Sequence, residues 1–434
     1  MYRKNIFVIF ILVSSILVQF PVSLASEGQV KFSSDDSHLI EDVPYFSQIE
    51  NHYCEIACYE MVLEYYGINI TQSELLYFTG GGYSFAYKPT LKSTIEKPRL
   101  PICYQPQIWT DELTAEIDDV KLFTELFGFD YKFICPEKIV NHDKEWETYW
   151  EILKEYISND VPVITAPDPL AWPPFLECMN FTFVLPKMFG CTHLVVVVGF
   201  NEENNTICVN DPVTGYFGYP EKGTYRWLSI DEYRRAISRV KWPIKDFRYQ
   251  LQIFENSTKH TFPKEYIHNF IHSRNIKRTI GLKSAYDSNH IDDFFNYYGI
   301  SALEEFRDDI KYKAAERIIL HKILMKTNIL YNFKDALRMF EIKTEYESLN
   351  KKHISNLLYE NKELNPYYEK ESLLFLSESK CWEKINNLSK NLSEVVNNNG
   401  MFKAMILSKP LFSEIVNQLD SIIAVRRLIV DETL

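Results

Sequence analysis

Apolar and polar positions follow two different periods along this chain, and the change falls near residue 260. Before it, short apolar runs alternate with turns rich in glycine, proline and asparagine, the pattern of strands mixed with short helices. After it, glycines are few and the sequence reads as helices throughout. The clearest strand signal is THLVVVVG, Thr192 to Gly199, whose five consecutive apolar residues predict a strand buried on both faces. Phe200 to Asn205 is a polar turn. Thr206 to Val209 returns, and Asn210-Asp211-Pro212 ends the second strand. His193 and Asp211 are symmetric about residue 202, so an antiparallel hairpin sets them opposite one another. Val161 to Ile164 begins a further strand that stops at Asp168-Pro169. Phe247 to Phe254 is a last strand, and Tyr83, Phe85 and Tyr87 alternate as in another.

Helical periods fill much of the rest. From Cys54 onward, Cys58, Met61, Val62 and Tyr65 form one apolar stripe, and Gly67 falls where a helix takes a left-handed C-terminal residue. Thr71 to Glu74 is a capping box that starts a short helix ending near Phe78. Glu112 to Phe127, Trp146 to Ile157 and Leu228 to Ile237 read as helices. Ser301 to Glu304 reads as a second capping box, with Leu303, Phe306 and Ile310 on one face. Phe412, Ile415, Val416, Leu419 and Ile423 form a late stripe. Gly80-Gly81-Gly82 matches no phosphate-binding spacing and predicts a flexible turn. Prolines at 89, 98, 101 and 106 make the stretch from Lys88 to Asp111 a long loop, a candidate cover for a site. Trp172-Pro173-Pro174-Phe175 is too apolar for an ordinary surface loop.

Length and composition add domain number and location. A chain of 434 residues exceeds what one core usually organises, so two domains are expected, residues 30–256 and 260–434, with the boundary near Asn256 to Pro263. At 46% hydrophobic and 15% aromatic, the chain is globular. Residues 1–26 read as a secretory signal: Arg3 and Lys4, then an apolar run from Ile6 to Phe20, then Ser23-Leu24-Ala25 as the cleavage site. Left uncleaved, that run would anchor the chain in a membrane. Six N-x-Ser/Thr sequons, at Asn69, Asn180, Asn204, Asn256, Asn387 and Asn391, suit an exported chain. Loss of the leader takes the formal charge from -12 to -14, which leaves no basic field for nucleic acid. The cysteines, at 54, 58, 103, 135, 178, 191, 208 and 381, are too sparse for a disulfide scaffold.

The chemistry gathers at three distant places. A cysteine on the first turn of a helix lies in the positive end of the helix dipole, which favours the thiolate. A thiol nucleophile also needs a base within hydrogen-bond reach and a third group to fix the imidazole tautomer. Cys54, His193 and Asp211 supply those roles, with Asn210 the other candidate for the third. Gln48 stands six residues before Cys54, where its amide and the Cys54 N–H could hold an oxyanion. His52 reads as surface and Cys58 as core. A zinc site from Cys54, Cys58, Cys191 and His193 matches no common spacing. No cofactor or metal is called for.

The order Gln48, Cys54, His193, Asp211 resembles the papain-like thiol enzymes, which implies an α+β fold with an antiparallel sheet. Gln48 to Gly67 and THLVVVVGFNEENNTICVNDP resemble the double-glycine leader peptidases and their stand-alone relatives. That resemblance implies Cys54 as nucleophile, His193 as base, Asp211 as its orienter and Gln48 as oxyanion donor. Glu55 stands where those peptidases usually carry glycine, and a carboxylate there opposes thiolate formation unless it points to solvent. GGGYSFAY, PDPLAWPPF and YYGISALEEFRDDI resemble the N-terminal domain of the butirosin-biosynthesis acyltransferase family and the helical domain after it. This second resemblance implies transfer of an acyl group from a thioester to an amine. Three functions follow as expectations: an exported cysteine peptidase or amide hydrolase acting on a peptide or amide, an acyltransferase, or an inactive binding protein on the same fold. Export disfavours a cytosolic carrier-protein donor and leads the reading to hydrolysis.

Overall fold

A computed structural model of the chain describes residues 36–50, 53–88, 102–104, 119–135, 144–178, 193–238, 248–256, 261–282, 297–324, 333–399 and 401–433. The expected signal segment, His52, Cys191, the Asn180 sequon and most of the proline-rich stretch after Lys88 lie outside them.

In chain order, strand β1 (Ser37–Leu39) precedes helices α1 (Cys54–Tyr65) and α2 (Gln72–Phe78). Strands β2 (Ala86–Lys88) and β3 (Ile102–Tyr104) lead to α3 (Asp119–Leu126), β4 (Phe129–Ile134), α4 (Glu145–Ser158) and β5 (Val163–Thr165). A short 3-10 turn precedes α5 (Pro173–Cys178). Then come β6 (Val195–Asn201), β7 (Thr206–Asn210), α6 (Pro212–Tyr216), β8 (Arg226–Ser229), α7 (Ile230–Ile237) and β9 (Leu251–Asn256). The remainder is α8 (Lys264–Ile280), β10 (Tyr297–Tyr298), α9 (Gly299–Leu324), α10 (Phe333–Glu360), α11 (Tyr368–Asn398) and α12 (Met401–Thr433). The fold is α+β.

The main sheet runs β4-β9-β5-β6-β7-β8, all antiparallel, and β1 pairs with the far end of β6. A second sheet, β10-β2-β3, forms inside and beyond the stretch expected as loop. The valine run makes β6 the middle of the main sheet. Val195 to Val198 are fully buried because β5 and β7 take their backbone groups and helices cover both faces. One face carries α1. On it, the Tyr59 hydroxyl lies 2.9 Å from the Gln252 side-chain amide of β9, and the Tyr59 ring meets Phe254 edge-on. The other face carries α4 and α7, whose Tyr149 and Tyr233 hydroxyls bond each other, with Tyr233 reaching Thr165 of β5 at 3.1 Å.

Several sequence expectations need local correction. α1 is buried on nearly every side, not along one stripe, because α2 covers the side away from the sheet. Tyr83 and Phe85 precede β2, and the chain from Arg226 to Ser229 is a strand, with Ser229 capping the helix after it. The Thr71 capping box forms in both directions, at 3.2 and 3.1 Å. The second box does not: α9 starts at Gly299, and the Ser301 hydroxyl donates back to Tyr298 O at 2.8 Å. The glycine triplet is buried and tightly packed. A Cβ at Gly80 would lie 2.1 Å from Arg278, and one at Gly82 would lie 2.7 Å from Ile354, so the left-handed backbone there lets helices close on the turn.

The change of period near residue 260 is the step from β9 to α8, and it is not a gap in packing. Residues 35–434 form one compact unit. Tyr346, Ile354, Leu357, Phe375 and Ile429 of the helical region enter the core built on α1 and the sheet. In return Phe85 enters the helical core of Leu303, Phe306, Trp382, Ile415 and Leu419, where it stacks on Trp382 at 6.1 Å. Among the described residues no helix is long and apolar enough to cross a membrane.

Candidate functional site

Three elements bring the sequence-predicted residues to one end of the sheet. α1 begins at Cys54, and its N-cap residue Tyr53 makes no side-chain cap, so the first-turn amides keep their positive end toward the sulfur. Cys54 is 9% exposed, at the border of the core. His193 comes two residues before β6, where its N–H donates to Pro167 O at 3.2 Å just past the end of β5. Asp211 follows β7 and caps α6, accepting from Val213 N at 3.0 Å.

The His193 ring joins the other two. Nε2 lies 2.8 Å from Asp211 Oδ1, and the Cys54 thiol is near enough to the imidazole to favour its charged form. With Nε2 turned to the carboxylate, Nδ1 is the nitrogen left for the sulfur. The two residues are not opposite in the ladder. Val196 pairs with Asn210 and a bulge follows Val197, so the expected register is off by two, and the contact is made by side chains beyond the paired strands. Asn210 is excluded as the orienter. Its amide donates to Val43 O, and its side-chain oxygen accepts from Tyr225 N at 2.7 Å.

The sequence reading missed Trp172. Its indole N–H donates to Asp211 Oδ2 at 2.6 Å, and its fully buried ring meets Tyr233 edge-on. Each carboxylate oxygen thus faces at least one donor, and the group is held rigidly with no exposure. The unusual apolarity of Trp172 to Phe175 was the available signal. Phe175 packs against the His193 ring at 6.0 Å.

Burial alone would depress the charge on His193. The Asp211 carboxylate, its hydrogen bond and the contact with Cys54 outweigh burial and lift the ring to about 10. The imidazole is therefore cationic at neutral pH, beside a sulfur at a helix N-terminus. Cys58, one turn on, is fully buried. Burial first, then the neighbouring Cys54, Asp211 and Glu55, push its thiol well up, so it stays a core thiol.

Gln48 is 3% exposed, with its backbone N–H on Pro212 O at 3.1 Å and its Nε2 donating to Glu50 O at 2.9 Å. Its amide carries a second N–H beyond the one used. Glu55 does not point to solvent. It is 8% exposed and accepts from the Tyr59 hydroxyl at 2.7 Å, so its charge is turned along α1 into a buried polar network. Among the described residues no cluster of His, Cys, Asp or Glu fits a metal ion.

A helix-borne cysteine, a histidine just before a central strand of an antiparallel sheet and an acid just past the neighbouring strand define the papain-like class of α+β domain. The model of the Peptidase_C39 like family matches residues 40–233, so this part of the chain is similar to that family, and a helical region follows it. No curated protein matches the chain. The family match stops short of β9, which nevertheless fills the sheet between β4 and β5.

Proposed function

We propose that the protein is an exported cysteine peptidase or amide hydrolase that works through an acyl-enzyme. The observation that carries this reading is the His193 ring, hydrogen-bonded to a fully buried carboxylate and close to the thiol that opens α1. Cys54 Sγ attacks the acyl carbon, and the carbonyl oxygen gains the negative charge. The Cys54 N–H and the Gln48 amide receive that charge. His193 gives its proton to the departing amine, then takes one from the water that releases the acid. Asp211 holds the ring's tautomer throughout, with Trp172 and Val213 holding Asp211. The leader-like residues 1–26 support placement outside the cytoplasm.

The first test is the rate of Cys54 alkylation by iodoacetamide at neutral pH, read by peptide mass mapping. Wild-type Cys54 should react at least about tenfold faster than a free thiol, and His193→Ala should remove the advantage. Equal rates for Cys54 and a free thiol would leave only an inactive member of the fold. A screen of fluorogenic peptide amides with and without added amines then follows the acyl group. Amide products in place of acids would move the assignment to the acyltransferase reading.

A further inference from the structure

A single face of α10, in the helical region, reaches the loop that leads into Cys54. Tyr346, Asn350 and His353 lie at i, i+4 and i+7, so one stripe of the helix presents all three. Asn350 Oδ1 accepts from the Tyr53 hydroxyl at 2.7 Å, across 297 positions of sequence. The Tyr53 ring lies between Tyr346, edge-on at 6.0 Å, and His353 at 5.9 Å. His353 Nε2 lies 3.2 Å from Glu50 Oε1, and Glu50 O is the acceptor for Gln48 Nε2. Tyr53 is the N-cap of α1 and the residue before the nucleophile. The Tyr346 phenol, raised by burial first, also senses the charges of Cys54 and Glu50.

We infer that this stripe of α10 is a positioning element for the thiol site. Tyr53 and Asn350 fix where α1 begins, and with it the sulfur and the amide that would meet an oxyanion. Glu50 and His353 fix the backbone on which Gln48 rests. None of the three α10 side chains is assigned a chemical step; they act through the loop. The helical region is then a working part of the site, and the family-matched segment alone lacks the support its nucleophile needs. Three side chains converging on one short loop, two of them through hydrogen bonds, exceed what packing of an apolar face requires.

This inference rests on the reading of Cys54 as the nucleophile, and one experiment separates the two. Full-length wild type, Tyr53→Phe, Asn350→Ala, the double variant and Tyr359→Ala are alkylated with iodoacetamide from pH 5 to 9, with thermal melts of each. Tyr359 is 53% exposed on the same helix and serves as the control. Tyr53→Phe and Asn350→Ala should each slow Cys54 alkylation by about tenfold, a sub-ångström displacement being enough for a loss of that size. Their pH profiles should move, the double variant should add little to either single one, and Tyr359→Ala should match wild type. Fast alkylation that all variants share would overturn the positioning role and leave the nucleophile assignment intact. Slow alkylation of wild type would overturn that assignment first. A uniform loss in proportion to melting temperature would reduce the stripe to ordinary packing.

Discussion

The two regions of the molecule bury charge in opposite ways. At the thiol site, polar groups line up behind one sulfur: Asp211 is satisfied by His193, Trp172 and Val213, and His193 stands between that carboxylate and Cys54. In the helical region the buried charges close on one another. Arg426 Nε lies 2.7 Å from Glu378 Oε2, and Lys351 Nζ lies 2.9 Å from Glu347 and 3.7 Å from Glu378. Lys351 and Arg426 also donate to Gly82 O, and Arg426 to Tyr83 O, which holds the glycine turn of the first region against the second. Burial, then Arg426, pull the Lys351 amine down, and Glu347 and Glu378 oppose that fall. One cluster is a relay that ends on a thiol and the other is a closed clamp.

The largest effect expected from breaking this contrast is on the clamp. Glu378→Ala removes the carboxylate shared by two fully buried cations and should cost about 3–5 kcal/mol in urea unfolding. Glu378→Gln should recover part of that loss. Per folded molecule, iodoacetamide reactivity at Cys54 should fall less than in His193→Ala. A cost below about 1 kcal/mol would mean that the clamp adds no stability and that the two regions do not differ as described.

Titration sharpens the comparison further, because the histidines of the two regions shift in opposite directions. His193, lifted to about 10 against about 6.5 when unfolded, contributes stability that is fully present below pH 6.5 and is lost as the pH rises toward 10. His272 lies in the helical region, where burial first and then His268 lower it to about 4. Its contribution is present above about pH 6.5 and is lost as the pH falls through 4. Glu371, whose Oε1 is 3.5 Å from His272 Nε2, is raised to about 7 by burial despite hydrogen bonds from Thr433 and Tyr83. Its contribution is present below about pH 4.5 and is lost as the pH rises through 7. The distance alone suggests an ion pair, yet both shifts favour the neutral forms, and neutral forms prevail between pH 5 and 6. In that window the two slopes oppose. Glu371→Gln should make stability fall with acid, and His272→Asn should make it rise, each by about 1 kcal/mol across the window in chemical denaturation at stepped pH. Parallel slopes in the two variants would contradict the assignment.

What the sequence made legible follows the same division. Cys54 and Gly67 were readable because helix ends have local chemistry, and the valine run because continuous burial leaves an apolar signature. Asp211 could be separated from Asn210 only in three dimensions, since the bulge after Val197 shifts the register. Trp172 and the α10 stripe were invisible for a related reason. A buried indole or asparagine carries no pattern that names a partner 39 or 297 positions away. The glycine triplet misled because composition gives backbone freedom but not what presses on it. Leu303, Phe306 and Ile310 were correctly placed on one face even though their capping box was not, because a stripe averages over several turns and a cap rests on one hydrogen bond.

The smallest effect bears on whether the two regions unfold together. Thr71 caps α2, which lies between α1 and the helical region, and Thr71→Ala removes a reciprocal cap worth about 1 kcal/mol. If the shared cores make residues 35–434 one cooperative unit, the loss should appear equally in every probe. Far-ultraviolet dichroism, dominated by the long helices α9 to α12, should shift by the same amount as tryptophan fluorescence, to which every tryptophan but Trp382 contributes from before residue 260. A shift confined to fluorescence would separate the regions. The clamp on Gly82 and the α10 stripe would then be contacts between two independently stable bodies, and the helical region would support the thiol site without sharing its stability.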